Sequence, residues 1–240
     1  MKKAIVIGGT SGIGYELAKI LLSNNYKVCI TGIENDFIND LKNSAQKNLE
    51  VQYLDCLENN PSQKIREFTE QLGGLDLLVL SAGIGNLNRN RGFTAENNAN
   101  KLNVLAFTEI ADYSYRFFEN KGDGHFIAIT SVSGHFGSCV APAYHAAKSY
   151  QMVYLEGLRQ KARRARCQKK SVYVTDIRPG FVATRMTQGK KMFWASSPEK
   201  AGRQIYKVIK NKEEYAYVTK RWSMIAFILK VLPKWVRVRF

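Results

Sequence analysis

Apolar residues in this chain fall into short β-branched runs separated by longer stretches of helical period. The runs Lys3–Ile7, Lys27–Thr31, Glu50–Leu54, Leu75–Leu80, His125–Thr130, Ser171–Ile177 and Tyr215–Thr219 read as strands. Between them, a period near 3.6 predicts helices over Ile13–Ser23, Asp36–Gln46, Pro61–Gln71, Glu96–Glu119, Ala143–Arg166 and Pro198–Lys210. Strand and helix alternating from the first residues onward is the pattern of β-α-β units. The expected fold is therefore α/β: a Rossmann-type, doubly wound parallel sheet of about seven strands with helices on both faces. Asp76–Leu80 is apolar almost throughout, as a strand covered on both sides must be.

With 240 residues, 45% of them hydrophobic, the chain can bury one large core without disulfides or a structural metal. One catalytic domain is expected over 1–219, with a basic, apolar appendage over 220–240. The four cysteines, Cys29, Cys56, Cys139 and Cys167, form no Cys-x-x-Cys pair, and no two histidines have metal-ligand spacing, so no metal is expected. The apolar stretch Ala4–Ile7 breaks at Gly8-Gly9, short of an export signal, and a cytoplasmic location is the expectation.

Chemistry first shows in Gly8-Gly9-Thr10-Ser11-Gly12-Ile13-Gly14, which follows a predicted strand and opens a predicted helix. Glycines there permit a tight turn and close approach of the backbone to a pyrophosphate, and the helix N-terminus offers its N–H groups to the anion. Tyr144 and Lys148 are four residues apart, so a helix sets them on one face, where an ammonium favours the phenolate. A tyrosine so adjusted is a proton donor to a nascent alkoxide, or a base in the reverse direction.

These residues stand in a longer series. Gly8, Gly12 and Gly14 are followed by Asp55 after the third strand, Ala82-Gly83 after the fourth, and Asn103 within a helix; Ser131 then precedes Tyr144 by 13 residues, and Pro179-Gly180 and Thr184 follow Lys148. In order and spacing the chain resembles the short-chain dehydrogenase/reductase family, from roughly Lys2 to Gly202. The resemblance implies an NAD(P)H-dependent oxidoreductase that moves hydride between a nicotinamide and a carbonyl or alcohol. It implies a catalytic tetrad in which Tyr144 is the acid/base and Lys148 also bonds the nicotinamide ribose. Ser131 orients the substrate oxygen and Asn103 holds a water that relays protons. The cofactor would lie along Gly8, Thr10, Ser11, Gly12, Ile13 and Gly14, pass Gly32, Ile33, Asp55 and Cys56, then Ser81, Ala82 and Gly83. It would end at Tyr144, Lys148, Pro179, Gly180, Val182 and Thr184, with the Val182 backbone and the Thr184 hydroxyl on the carboxamide.

The chain departs from the family at Ile7, usually threonine, and at Leu80-Ser81, usually Asn-Asn. At the end of the second strand, Gly32 lacks the acid of NAD-dependent relatives and Ile33 lacks the arginine of many NADP-dependent ones, while Glu34 stands two places late. The reading favours NADP(H) over NAD(H). By family analogy residues 184–198 form a lid over the substrate, and Met186, Met192, Phe193 and Trp194 suggest an apolar ketone, aldehyde or acyl-derived substrate; ordinary core packing is the other reading of these side chains. His135 is a further candidate to line the pocket.

The net charge of +16 is uneven: residues 1–120 carry 12 Lys/Arg and 14 Asp/Glu, residues 121–240 carry 24 and 6. Arg159–Lys170 holds seven basic residues of twelve, read either as a solvated helix face or as a contact surface. In 220–240, Trp222, Met224, Ile225, Phe227, Ile228 and Trp235 alternate with Lys220, Arg221, Lys230, Lys234, Arg237 and Arg239. That segment is too charged to span a bilayer; peripheral contact with a membrane, packing on the domain, and a homo-oligomer contact stay open. No nucleic-acid recognition module is present. A nucleotide-binding regulatory module without turnover is the rival function, and the intact tetrad favours the enzyme. An isomerase of this kind would need a longer C-terminal region.

Overall fold

Along Lys2–Ile7 the side chains of Ala4 and Val6 enter one buried cluster and those of Ile5 and Ile7 another, so this strand is apolar on both faces and must lie inside a sheet. The computed structural model describes residues 1–34, 38–41, 46–58, 60–85, 92–184 and 194–231. In it β1 (Lys2–Ile7), β2 (Tyr26–Gly32), β3 (Leu49–Tyr53), β4 (Leu77–Leu80), β5 (Asp123–Ile129), β6 (Ser171–Pro179) and β7 (Tyr215–Val218) form one sheet. Its spatial order is β3-β2-β1-β4-β5-β6-β7, with every pair parallel. The doubly wound Rossmann-type sheet expected from the sequence is thus present.

The helices are α1 (Gly12–Ser23), α2 (Pro61–Leu72), α3 (Phe93–Asn100), α4 (Phe107–Lys121), α5 (Pro142–Cys167), α6 (Pro198–Asn211) and α7 (Arg221–Val231). Helices α1 and α6 pack on one face through Leu17, Leu21, Ile205 and Val208. On the other face α2, α4 and α5 contribute Ile65, Phe68, Ile110, Phe118, Leu155 and Leu158. Strand order reverses between β1 and β4, which opens a crevice at their C-terminal ends, where open α/β sheets bind ligands.

The sequence predicts one helix over Glu96–Glu119. The chain is helical from Phe93 to Lys121, but Lys101–Ala106 is π-helical. Such wide turns concentrate at functional sites, and this one carries Asn103. Of the helix predicted over Asp36–Gln46, residues 38–41 are helical and 36–37 and 42–45 lie outside the described residues. The segment 220–240 reads from sequence only as an appendage; its first half forms α7, which lays Trp222 and Ala226 inward. Trp222 covers Gly180, where a Cβ would fall within the indole ring, and stacks edge-on against Phe181 at 5.4 Å.

Candidate active site

The glycine turn sits in the crevice. Gly8 has φ +75°, and a Cβ there would meet the Ala82 N–H nitrogen at 2.7 Å; a Cβ on Gly14 would fall on the Gly8 carbonyl oxygen. Turn, helix start and the Ser81–Gly83 strand end are therefore fitted to one another with no space for side chains. Ser11 stands at the N-cap of α1 without a side-chain capping bond among the described residues, and the first turn holds no acid. The Ser11 side chain thus leaves the early N–H groups of α1 uncapped, which suits an anionic pyrophosphate. Ile13 packs against the core and Thr10 is buried. The two family departures meet here, since the Ile7 carbonyl accepts from both Ser81 N (2.8 Å) and Ala82 N (3.1 Å).

At the other sheet ends, Gly32 is backed by the Thr10 side chain, which occupies the space a Cβ would need, while Ile33 is exposed. Asp55 accepts from Leu57 N at 2.8 Å and shapes the turn after β3. Cys56 is buried in the core, and burial pushes its thiol up to about 12, so it is an inert packing group. Pro179 ends β6, Gly180 lies under Trp222, and Val182 is buried and bridged to Ser196. Thr184 lies beside the turn, its Cγ2 3.1 Å from where a Gly12 Cβ would stand. In the expected lid, residues 185–193, with Met186, Met192 and Phe193, lie outside the described residues; Trp194 is tied to α7 by Arg221, which donates to its carbonyl at 2.6 Å.

The turn, the strand ends and the spaces denied to side chains fit a dinucleotide. Its pyrophosphate would be held by residues 8–14 and its nicotinamide end by Tyr144, Lys148, Val182 and Thr184.

Four side chains converge beside that cleft. Ser131, in extended conformation after β5, accepts from Ser133 N at 3.1 Å, and its side chain lies close enough to Tyr144 to favour the phenolate. Lys148 is buried, with Nζ 5.7 Å from the Tyr144 ring centre, donating to the Ile129 carbonyl (3.2 Å) and Gln151 Oε1 (2.9 Å). Asn103 accepts from Ile84 N through Oδ1 (3.1 Å) and donates to the Ile84 carbonyl through Nδ2 (2.7 Å). Gly83 fits between them, a Cβ there standing 3.2 Å from Asn103 Oδ1 and 3.5 Å from Lys148 Nζ.

The electrostatics differ from the sequence reading. Burial raises the Tyr144 phenol above its ordinary value, and the Ser131 side chain works in the opposite direction. Lys148 does not reverse this, because its ammonium is directed at Ile129 and Gln151. Burial also brings Lys148 down to about 8, opposed by the charge of Asp176. A protonated phenol beside a serine hydroxyl can donate to an oxygen brought against it.

Gln151 and Asp176 were not among the residues singled out in the sequence. Both were visible as polar residues on apolar faces, Gln151 one turn beyond Lys148 and Asp176 inside the sixth strand. Asp176 is fully buried and accepts from Thr130 Oγ1 (2.6 Å) and Arg178 Nε (2.7 Å). The Asn103 main-chain carbonyl accepts from Gln151 Nε2 at 2.8 Å.

The histidines have structural partners. His135 Nε2 pairs with Tyr217 OH (3.0 Å), His145 Nδ1 with the Phe136 carbonyl (2.8 Å), and buried His125 Nε2 with Thr175 Oγ1 (2.7 Å). Among the described residues no cluster could hold a metal ion. The basic stretch Arg159–Lys170 is partly internal: Arg159 is buried, and Arg163 and Arg166 both pair with Glu214.

Comparisons with known proteins agree with this fold. An uncharacterized oxidoreductase of Myxococcus xanthus is 28% identical over 193 residues, covering 78% of this chain and 74% of its own. Carbonyl reductase family member 4 of Xenopus tropicalis is 26% identical over 191 residues, covering 78% of each. A short chain dehydrogenase of Burkholderia cenocepacia, solved in complex with NADP, superposes with TM-score 0.83 over all of this chain and 98% of its own, at 16% identity. An acetoin dehydrogenase of Salmonella typhimurium gives 0.75 at 22% identity, over 90% and 92%. The family profile described as short chain dehydrogenase matches residues 2–193. By that match, and by the parallel sheet and crevice it runs through, the chain belongs to the short chain dehydrogenase family of NAD(P)-dependent oxidoreductases.

Proposed function

We propose that this protein reduces an apolar ketone, aldehyde or acyl-derived carbonyl with NADPH, with Tyr144 as the proton donor. The observation that carries the reading is the convergence of Tyr144, kept protonated by burial beside Ser131, with the buried Lys148, whose Nζ stands 5.7 Å from the Tyr144 ring centre. A nicotinamide cofactor, when bound, supplies the hydride. The chain does the rest: Ser131 and Tyr144 hold the carbonyl oxygen, Tyr144 gives it a proton, and Lys148 stabilises the phenolate left behind. A preference for NADPH is supported by Gly32, where the Thr10 side chain fills the place an acid would occupy. Exposed Trp194, within the stretch expected to form the lid, and exposed Phe181 just before it support an apolar substrate.

The partner side of the reading is a membrane surface. Met224, Phe227, Ile228 and Val231 recur at i, i+3, i+4 and i+7 on α7, all exposed, next to Lys220 and Arg221. No helix among the described residues is long and apolar enough to cross a bilayer. An apolar stripe with basic neighbours fits the interface of an anionic leaflet, where each cation contributes about 1 kcal/mol.

The test is NADPH and NADH with a panel of aliphatic, aromatic and acyl-thioester carbonyls, followed at the nicotinamide absorbance. Turnover with NADPH, reduced by about 100-fold or more in Tyr144→Phe with cofactor affinity retained, is expected. Cofactor binding with no carbonyl turned over would instead favour a regulatory module.

A further inference from the structure

Lys148 and Asn103 lie on different elements, α5 and the π-helical turn, and one buried side chain joins them. Gln151 is 2% exposed; its Oε1 accepts from Lys148 Nζ at 2.9 Å and its Nε2 donates to the Asn103 carbonyl at 2.8 Å. Chemistry fixes which way the amide faces, since an ammonium only donates and a carbonyl only accepts. With the Ile129 carbonyl at 3.2 Å taking a second proton of the ammonium, Lys148 keeps one N–H for the cleft.

We propose that Gln151 is a positioning residue that holds the Lys148 ammonium in its charged form and in its place beside Tyr144. The inference rests on the reading of Tyr144 and Lys148 as the proton-transfer pair. Burial alone drives a lysine toward the neutral amine, and an acceptor bonded to the charged form opposes that. Two groups oppose it here: the Gln151 amide by direct contact and the Asp176 carboxylate of β6 through its field. The other charged or titratable neighbours have their own partners. Arg178 of β6 is bonded to Asp176, His135 of the turn before α5 to Tyr217, and Glu96 of α3 accepts from Ala143 N; Tyr144 shares the helix and lies beside Ser131. Gln151 also anchors the start of the link. A lysine side chain has four rotatable bonds, and without a tethered acceptor the ammonium could swing out of line with the phenol.

Two variants separate positioning from mere packing. Gln151→Met keeps the length and removes both hydrogen bonds; Gln151→Glu keeps the acceptor and adds a charge. Two readouts are taken: the pH profile of kcat/KM with an accepted carbonyl, and the ionisation midpoint of Lys148. The midpoint comes from competitive labelling with trace acetic anhydride across pH, read by peptide mass spectrometry, and needs no turnover. If Lys148 must be charged, activity falls as pH rises through its pKa. Gln151→Met should move that alkaline limb and the labelling midpoint down by about one pH unit, and Gln151→Glu should move both up by about as much. A packing role would change stability or kcat without opposite shifts. Unchanged midpoints, or shifts in the same direction in both variants, would overturn the proposal. Should Gln151→Met fail to fold, Gln151→Leu decides in its place, a downward shift being expected and an unchanged midpoint overturning the proposal, since a carboxylate at this position would raise Lys148 in either case. Wild-type protein that turns over no carbonyl but shows the opposed midpoints would sink the reductase reading and leave Gln151 in its role.

Discussion

The Thr130 hydroxyl donates to the fully buried carboxylate of Asp176 at 2.6 Å. Thr130 immediately precedes Ser131, and its N–H also bonds the Ile177 carbonyl at 2.7 Å. One acid on β6 therefore fastens the strand end from which Ser131 projects, pairs Arg178, and lends its charge to Lys148. Asp176→Asn keeps the shape and removes the charge. Breaking a buried pair from one side should cost about 3 kcal/mol in denaturant unfolding. The alkaline limb of activity should also move to lower pH, since Lys148 loses the charge that opposes its burial. Stability and pH profile both equal to wild type would refute this account of Asp176.

Gly14→Val would drive a side chain onto the Gly8 carbonyl and toward Ser81. The glycine turn can yield only by opening, so the pyrophosphate site should be lost before the fold is. In a calorimetric titration of folded variant, NADPH affinity should fall at least about tenfold, which is about 1.4 kcal/mol. Wild-type affinity would mean that the turn does not face the cofactor.

His125 is held neutral by burial, which brings it down to about 3 from its ordinary 6.5. Below 6.5 the unfolded chain takes a proton that the folded chain refuses, so its contribution to stability is present above 6.5 and is lost as pH falls toward 3. His125→Gln removes this linkage. Relative to the variant, wild type should lose about 3 kcal/mol between pH 7 and pH 4, read as the difference in urea midpoints across pH. A constant difference would place the acid-sensitive group elsewhere.

For α7 the direct test is Phe227→Ser with Ile228→Ser, rather than removal of the tail, because truncation would also strip Trp222 from Gly180. Wild type should pellet with anionic vesicles at low salt, be released at high salt, and ignore neutral vesicles; the double variant should stay in solution with turnover unchanged. Equal pelleting of both proteins would reject the membrane surface. A concentration-dependent dimer abolished by the same substitutions would assign the stripe to a second copy of the chain.

The sheet was legible in the sequence because its strands are apolar on both faces and bounded by glycine turns, as in Leu77–Leu80 with all four residues buried. Tyr144 and Lys148 were legible as a pair because a helical repeat sets them on one face, and Ser131 was legible through the 13-residue interval that the family resemblance supplied. What was hidden depends on contacts between distant segments. Gln151 is an ordinary helical glutamine until the π turn brings the Asn103 carbonyl to it, and Asp176 is one acid in a strand until Thr130 and Arg178 close on it. Arg163 and Arg166 looked like a solvated charge run because their acid, Glu214, stands some fifty residues later. The Tyr144 phenol went up rather than down because desolvation, which no spacing reveals, outweighs an ammonium aimed elsewhere.

The π turn at Lys101–Ala106 also fixes how the two halves of its helix are phased. A π turn holds one more residue than an α turn, and six residues at about 82° each turn the chain about as far as five at about 100°, so the extra residue is absorbed there with α3 and α4 left in phase. Glu96, whose carboxylate accepts from Ala143 N at 2.9 Å at the first turn of α5, is thereby kept beside the helix that carries Tyr144. The length of this segment, and not only its residues, is therefore part of the catalytic specification: a one-residue deletion should yield a folded, more regularly helical protein that keeps the Glu96 contact but closes the wide turn and withdraws the Asn103 carbonyl from Gln151, whereas retained turnover in such a deletion would show that the wide turn is free to vary.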